Sequence, residues 1–280
     1  MVRPCPEMKP ARPIGWPAAA AGATAVLVLA AAALHLVREP LVVPIPGVDQ
    51  RPKAPAPPQQ AQWTSPLKKQ CNSPDRALRM RLLALQRDLP SSIRRISIDP
   101  SNYGERMGRD AYGTPLNTTP SMVVLHETVY GIGSAINTFT THHPHDHDQV
   151  SYHMLIGEDG RVVETLDPAK RAYGAGYSAF KGRWDVTNPS MAGSVNNFAL
   201  HLSLETPLDG EDADAVHSGY SSRQYDALAV VLADWMRRYR IPYDHITTHR
   251  YVDLGAERAD PRSFDWSALQ ARLAALGALC

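Results

Sequence analysis

Two histidines and one aspartate stand where a metal ion could be bound. His126 directly follows the apolar run 122–125, and His249 directly follows the β-branched run 246–248. A polar side chain just past a buried strand lies at a sheet edge, where functional sites commonly form. Asp260 comes eleven residues after His249. Two imidazoles and one carboxylate are a typical catalytic set for Zn2+, because they leave a fourth coordination position open for water.

The remaining histidines give weaker evidence for a metal site. A single histidine is more often a surface residue or a hydrogen-bonded core residue than a metal ligand. One acidic segment is crowded with His142, His143, His145 and His147. It is interpreted as a solvated loop, with a second metal site as the alternative. His153 follows Tyr152 directly, and in a strand the two side chains would point to opposite faces, so His153 is expected to be structural.

The N-terminal part of the chain predicts export. The run 18–37 contains no Asp, Glu, Lys or Arg, and Arg3, Lys9 and Arg12 precede it. A basic start before an apolar stretch is typical of a secretion signal, and this stretch is about long enough to span a bilayer. Residues 1–38 are therefore predicted to be an uncleaved signal anchor, with a cleaved signal peptide or a buried Ala-rich helix as the alternatives. An exported chain would work in the periplasm or cell envelope, and an anchored one would have the membrane as a partner.

A proline-rich segment separates this start from the rest of the chain. Residues 39–66 hold 8 of the 24 prolines, and proline interrupts both helices and sheet hydrogen bonds. The segment is predicted to be an extended linker, which leaves 67–280 as the folded domain. The formal net charge is +1, and no run of Lys or Arg is present, so nucleic acid is not an expected partner. A monomer is expected.

Three cysteines leave two possibilities open. Cys71 and Cys280 lie at the two ends of the predicted domain. In an oxidising compartment they could form one disulfide, and otherwise they are two unrelated thiols. Cys5 precedes the apolar run and would stay on the cytoplasmic side of a retained anchor. No cysteine belongs to a C-x-x-C pair, which argues against a cysteine-based zinc site.

Helix and strand patterns alternate along the predicted domain. Apolar spacing predicts helices at about 74–89, 134–141, 221–240 and from 266 onward. The first is expected to have Ser73 as its N-cap, the third to begin with a Ser221–Gln224 capping box, and the last to be capped by Asp265. Strands are predicted at 121–125, 152–156, 161–166, 198–204 and 246–249. Such alternation favours an α/β fold with a central mixed sheet flanked by helices.

Four blocks in order carry a family resemblance. They are Leu-His-Glu-Thr at 125–128, Ser-Tyr-His at 151–153 with Asp-Gly at 159–160, the strand 197–205, and His249 followed by Asp260-Pro261 and Phe-Asp-Trp at 264–266. Together they resemble the type-2 family of zinc-dependent N-acetylmuramoyl-L-alanine amidases, over about 121–273. Peptidoglycan recognition proteins and amidase-type phage lysozymes share that family's fold.

The resemblance implies a role for each candidate residue. His126, His249 and Asp260 correspond to the zinc ligands. Glu205 corresponds to a catalytic carboxylate of bacterial members, and the alternation from Phe198 puts it on the face opposite the leucines. The implied activity is hydrolysis of the amide between N-acetylmuramic acid and L-alanine in peptidoglycan and muropeptides.

Two further residues are expected to stabilise the oxyanion. Tyr152 corresponds to a catalytic tyrosine of phage members. Arg258 stands where many members have lysine, and it keeps the positive charge but cannot donate a proton.

Two alternatives to this activity remain, and one motif departs from the family. A recognition module would bind muropeptide without cutting it, and such relatives typically lose a zinc ligand. A zinc peptidase acting on the stem peptide is disfavoured, because no H-E-x-x-H motif is present. Many members read Trp-His-Ala-Gly where this chain has Tyr-Gly-Ala-Gly at 173–176, so a histidine expected to line the substrate groove is absent.

Overall fold

The structure, a computed structural model, describes residues 52–71 and 75–280. The predicted signal or anchor segment and Cys5 lie outside these residues, as do Ser73 and Pro74 at the expected start of the first helix. Within the two described ranges, no helix is both long enough and apolar enough to cross a membrane.

The described chain contains five α-helices and eight strands. The helices are α1 (Arg76–Ser92), α2 (Ile132–Thr140), α3 (Ser222–Tyr239), α4 (His249–Val252) and α5 (Trp266–Ala275). The strands are β1 (Arg94–Arg95), β2 (Tyr103–Glu105), β3 (Met122–Glu127), β4 (Met154–Ile156), β5 (Val162–Glu164), β6 (Lys170–Ala172), β7 (Ala199–Leu204) and β8 (Ile246–Thr248). The predicted α/β class is confirmed.

Six of the strands form a central mixed sheet in the order β1-β5-β4-β7-β3-β8. β3 is parallel to both of its neighbours, β7 and β8. β4 runs parallel to β7 and antiparallel to β5, which makes the predicted hairpin around Gly160. β2 and β6 pair separately as a two-stranded antiparallel sheet.

Three helices cover one face of the central sheet. α1, α3 and α5 bury their apolar sides against this face, and the leucines Leu200, Leu202 and Leu204 of β7 belong to the same cluster. The capping box of α3 is confirmed, since Ser221 accepts a hydrogen bond from the Gln224 backbone and Gln224 accepts one in return. We call this side of the sheet the helical face.

The first helix begins later than its sequence predicts. α1 starts at Arg76, and its N-cap is Asp75, whose carboxylate accepts a hydrogen bond from the Leu78 backbone N–H. Asp265 caps α5 as expected, with hydrogen bonds from the backbone of Ser267 and Ala268.

The opposite face of the sheet carries the candidate site, and we call it the site face. Met122 and Val124 of β3 pair in register with Ala199 and His201 of β7, and paired residues of parallel strands point to the same side. A smaller apolar cluster that contains Met122, Val124 and Ala199 lies here. α2 covers another part of this side, where Phe139 packs with Leu155 of β4.

The described part of the predicted linker lies along the domain. Residues 52–66 contain no helix or strand. The Trp63 ring packs against Tyr251 with a centroid distance of 4.5 Å, and its indole N–H donates to the Asp244 carbonyl. The Gln60 amide donates to the Ala179 carbonyl. The last part of this proline-rich segment is therefore held by the domain.

A disulfide joins the two ends of the folded region. Cys71 is bonded to Cys280, 209 residues further along the chain. Next to it, the Gln70 backbone N–H donates to the Leu279 carbonyl. Of the two possibilities that the sequence left open, the structure has the disulfide.

Candidate metal centre

The register of two parallel strands brings the two predicted histidine ligands together. Leu125 of β3 pairs with Thr248 of β8. His126 and His249 are the next residue on each strand, so they leave the same edge of the sheet side by side. His126 is still within β3 rather than just beyond it, and His249 is the first residue of α4. Their ring centroids are 4.6 Å apart.

Asp260 completes the group from a loop. The Arg250 backbone N–H donates to the Asp260 carbonyl, which holds this loop against α4. Asp260 Oδ2 lies 3.3 Å from His126 Nδ1, and Asp260 Oδ1 lies 3.0 Å from His249 Nδ1. One ligand atom from each of the three residues lies within 4.8 Å of the others. The structure thus brings all three predicted metal ligands together.

The protonation states of His126 and Asp260 suit a divalent metal. Burial lowers the pKa of His126 to about 4, so its imidazole is uncharged at neutral pH. Burial alone would raise the pKa of Asp260, but the close approach of the His126 and His249 side chains outweighs it and holds this pKa well below its usual range. His126 Nδ1 is buried and makes no hydrogen bond within the described chain. Neutral imidazole nitrogens and an ionised carboxylate are the donor set that zinc prefers.

Tyr152 lies against the first of these ligands. Its ring stacks on His126 with a centroid distance of 4.3 Å and an interplanar angle of 21°, and Phe139 contacts it edge-on. Burial raises the pKa of the Tyr152 phenol well above its usual value, so the phenol stays protonated. The Tyr152 phenol is therefore protonated, and its ring lies against a candidate metal ligand.

Arg258 is exposed, and its backbone N–H donates to Asp253. After the larger effect of burial, its charge also contributes to the low pKa of His126. Its predicted role in stabilising the oxyanion stays a prediction.

Glu205 is held by backbone groups at the end of β7. One carboxylate oxygen accepts a hydrogen bond from the Ile132 N–H at the start of α2, at 2.7 Å. The other accepts one from the Glu158 N–H, also at 2.7 Å. Neither partner belongs to the group of His126, His249 and Asp260. The role predicted for Glu205 stays a prediction, and its carboxylate also has the structural task of joining α2 to the β4–β5 turn.

Ser203 and His201 occupy the site face nearer to the metal centre. Ser203 pairs directly with His126 across the two strands, whereas Glu205 lies two residues, or about 6.6 Å, further along. The Ser203 hydroxyl is buried and has no hydrogen-bond partner in the described chain. His201 Nδ1 lies 2.9 Å from His126 Nε2. The alternating sequence of β7 predicts that His201 and Ser203 share one face of the sheet. Only the strand register shows that they lie next to His126.

A buried ion pair supports the Asp260 loop from the helical face. Glu127 accepts hydrogen bonds from the Arg262 backbone, at 2.8 Å, and from its guanidinium. The Tyr220 hydroxyl donates to the same carboxylate. The Arg262 guanidinium also donates to carbonyls of the 210–214 loop. Glu127 follows the ligand His126 and Arg262 follows Asp260 by two residues, so this pair ties the two ligand segments together.

The other histidines behave largely as expected. His142 pairs with Asp99, His143 with Asn102, and His147 with Asp148. Within the described residues, His126, His249 and Asp260 are the only group that could hold a metal ion. The segment around these histidines is thus a loop with local partners. His153 is fully buried, accepts a hydrogen bond from the His201 backbone and lies 3.2 Å from the Lys170 carbonyl, which agrees with a structural role.

Comparison with known proteins identifies the family. A family model described as N-acetylmuramoyl-L-alanine amidase matches residues 116–263, more than half of the chain. This range contains the three candidate metal ligands. The chain therefore belongs to the N-acetylmuramoyl-L-alanine amidase family.

Curated relatives share part of their length with this chain. The 1,6-anhydro-N-acetylmuramyl-L-alanine amidase AmpD of Citrobacter freundii is 34% identical over 127 residues, which cover 45% of this chain and 58% of the relative. The corresponding protein of Escherichia coli is 32% identical over 123 residues, covering 43% and 57%. The chain thus spans less than two thirds of the length of these relatives. A crystal structure of an AmpD derivative is similar with a TM-score of 0.49 and 28% identity, covering 65% of this chain and 94% of that one.

In the metal-free protein, the free energy of unfolding should fall as the pH drops from 7 to 5. Burial lowers the pKa of His126 to about 4 and that of His153 to about 3. Histidines of an unfolded chain titrate near about 6.5. As the pH falls, these histidines are protonated in the unfolded state before they are protonated in the folded state. Their contribution to the free energy of unfolding is therefore fully present above about pH 6.5 and is lost as the pH falls toward the folded pKa values.

We expect a loss of about 2 kcal/mol for each such buried imidazole, measured by urea unfolding with chelator at both pH values. His145→Ala removes an exposed histidine and is the control, which should keep the full pH dependence. Equal stability of the wild-type protein at pH 7 and pH 5 would contradict the buried, uncharged state.

Proposed function

We propose that this chain is a zinc-dependent hydrolase that cuts the amide between N-acetylmuramic acid and L-alanine in peptidoglycan or its muropeptide fragments. One observation carries the proposal: His126, His249 and Asp260 form a candidate metal centre inside the region that matches the amidase family. The curated relatives are named for the 1,6-anhydro form of the substrate, which makes that form the first to be assayed.

Each residue around the candidate metal centre has a separate proposed role in amide hydrolysis. Zinc held by His126, His249 and Asp260 would supply Lewis-acid activation of the carbonyl and of the attacking water. Tyr152 would donate a hydrogen bond to the carbonyl oxygen as that oxygen gains negative charge. The high pKa of Tyr152 keeps this donor protonated throughout. Arg258 would add positive potential at the same place.

A general base is needed to take the proton of the attacking water. Glu205 is the residue that the family resemblance suggests. Its two hydrogen bonds from backbone N–H groups occupy both carboxylate oxygens. A base must reach the proton that it removes. The proposal for Glu205 therefore needs a test that separates catalysis from anchoring.

A non-catalytic recognition module is the competing proposal. It would keep the fold and bind muropeptide without releasing the stem peptide. All three candidate ligands are present and lie together, which favours the enzyme. Mass spectrometry of digested sacculi and of 1,6-anhydro-muropeptides distinguishes the two, because only the enzyme releases free stem peptide.

We also propose that the domain works outside the cytoplasm. The apolar run 18–37 after a basic start is the sequence basis, and the Cys71–Cys280 disulfide adds support, because disulfides persist mainly in oxidising compartments.

Replacing His126 should abolish zinc binding and activity together. In His126→Ala the metal keeps only His249 and Asp260, and we expect zinc content below about 10% of wild type and no measurable release of stem peptide. Metal analysis and the muropeptide assay check this. His145→Ala, which removes an exposed histidine of the 142–148 loop, should keep both. Full activity of His126→Ala with unchanged metal would show that the site is wrong.

Two substitutions of Glu205 separate a base from an anchor. Glu205→Gln keeps one oxygen acceptor but cannot take up a proton, whereas Glu205→Ala loses both functions. If Glu205 is the base, both variants should keep zinc and lose turnover by at least about a hundredfold, with muropeptide binding kept to within about tenfold. Glu158→Gln, which alters an exposed side chain of the same turn, is the control. Normal turnover in Glu205→Gln would leave the amidase proposal intact and remove Glu205 from its chemistry.

Fusions after Cys280 test the proposed location. A reporter that matures only outside the cytoplasm should be active, and one that works only inside should be silent. Immunoblotting of fractionated cells under non-reducing conditions should also find the disulfide-linked form with the envelope. A chain recovered wholly from the cytosol with both thiols free would contradict the proposed location.

A further inference from the structure

A second imidazole lies directly behind the metal ligand His126. His126 Nδ1 faces Asp260, so Nε2 is the ring nitrogen on the side away from the candidate metal centre. His201 Nδ1 lies 2.9 Å from this Nε2, and both side chains are fully buried. One proton must be shared between the two nitrogens, because a hydrogen bond needs one donor and one acceptor. When His126 Nδ1 binds a metal, Nε2 carries that proton and His201 accepts it.

The surroundings of His201 hold its ring in this position. Its backbone N–H donates to His153 Nδ1, and the two rings are nearly parallel, at an interplanar angle of 6°. Gly174 lies against the ring edge, where a Cβ atom would come within 2.3 Å of His201 Nδ1 and 2.5 Å of its Cγ. Only glycine leaves room for the imidazole.

We propose that His201 is a positioning residue for the metal centre: it accepts the Nε2 proton of His126 and so fixes the tautomer and orientation in which Nδ1 faces the metal. The proposal rests on the proposed zinc function. Tyr152 stacks on the face of the His126 ring, while His201 holds it in the ring plane. Hydrogen-bond partners of ligating histidines typically contribute about tenfold to a hundredfold to metal affinity.

His201 could instead act only by filling space. Two substitutions distinguish these possibilities, because they keep either the shape or the acceptor. His201→Phe retains a planar ring and loses the acceptor. His201→Asn can place its Oδ1 atom where Nδ1 now lies and so keeps the acceptor, although it is smaller.

Zinc affinity, measured by competition with a chromophoric chelator, should follow the acceptor. We expect His201→Phe to bind zinc about tenfold to a hundredfold more weakly, and His201→Asn to stay within about threefold of wild type. Thermal unfolding of the metal-free variants checks that both are folded. Wild-type affinity in His201→Phe, or a weaker site in His201→Asn than in His201→Phe, would overturn the proposal.

Gly174 gives an independent test that leaves His201 unchanged. In Gly174→Ala the new Cβ must displace the His201 ring, so zinc affinity should fall as it does in His201→Phe. In a His201→Ala background the same glycine substitution should have little further effect, because the ring is gone. Such non-additivity is expected of residues that act through one contact. Equal, additive losses from the two substitutions would contradict the proposed role.

The hydrogen bond can also be measured without reference to zinc. In protein labelled with 15N at histidine, a scalar coupling between His126 Nε2 and His201 Nδ1 reports the shared proton, whichever nitrogen carries it. A protein that bound no zinc would contradict the proposed zinc-dependent function. The coupling would still show whether His201 is hydrogen-bonded to His126. Absence of the coupling in the folded protein, with and without zinc, would overturn the proposal.

Discussion

The candidate metal centre depends on the parallel pairing of β3 with β8. Leu125 and Thr248 are neighbours across these strands, so the residues that follow them, His126 and His249, lie side by side. A slip of one residue would turn His126 toward the helical face, because successive side chains of a strand alternate. Apolar burial prevents this slip, since Val123 and Leu125 belong to the large core on the helical face. The packing of ordinary aliphatic side chains thus fixes the geometry of the ligands.

The two faces of the sheet are stabilised by different interactions. The helical face is dominated by aliphatic and aromatic packing. The site face carries three fully buried imidazoles, His126, His153 and His201. Beside them, burial lowers the pKa of the Arg106 guanidinium to about 10, and this group donates to carbonyls of 168, 197 and 199. Buried polar groups are costly unless they are hydrogen-bonded, and most of them are. We therefore expect the metal centre to be more sensitive to changes in these polar partners than to small losses of packing behind the sheet.

Local sequence patterns predicted the helices and strands more accurately than they predicted the contacts between them. The Ser221–Gln224 capping box and the alternating leucines of β7 depend on residues a few positions apart, and both are confirmed. The three candidate metal ligands were predicted because His126 and His249 end recognisable strand patterns and because the sequence blocks occur in family order. The pairing of β3 with β8 brings the two histidines together, and the loop contact of Asp260 with α4 adds the carboxylate.

Contacts between distant residues escaped prediction. His201 meets His126 across 75 positions of sequence, and nothing in either segment alone signals it. The backbone partners of Glu205 lie 73 and 47 positions away, so a residue that looked free for catalysis also proved to be an anchor. Trp63 belongs to a proline-rich segment, and proline content predicts an extended backbone but not what that backbone contacts.

The Cys71–Cys280 disulfide has a consequence for how this chain could be damaged. The bond closes 71–280 into a covalent ring that contains every strand of the sheet and all the candidate site residues. A protease that cuts one exposed loop within this ring opens the backbone but releases no fragment, because the two pieces remain joined through sulfur. The pieces also stay paired across the sheet, since β3, β7 and β8 come from distant parts of the ring. Two cuts, or one cut and a reductant, are needed before any covalent link between the candidate metal ligands is lost.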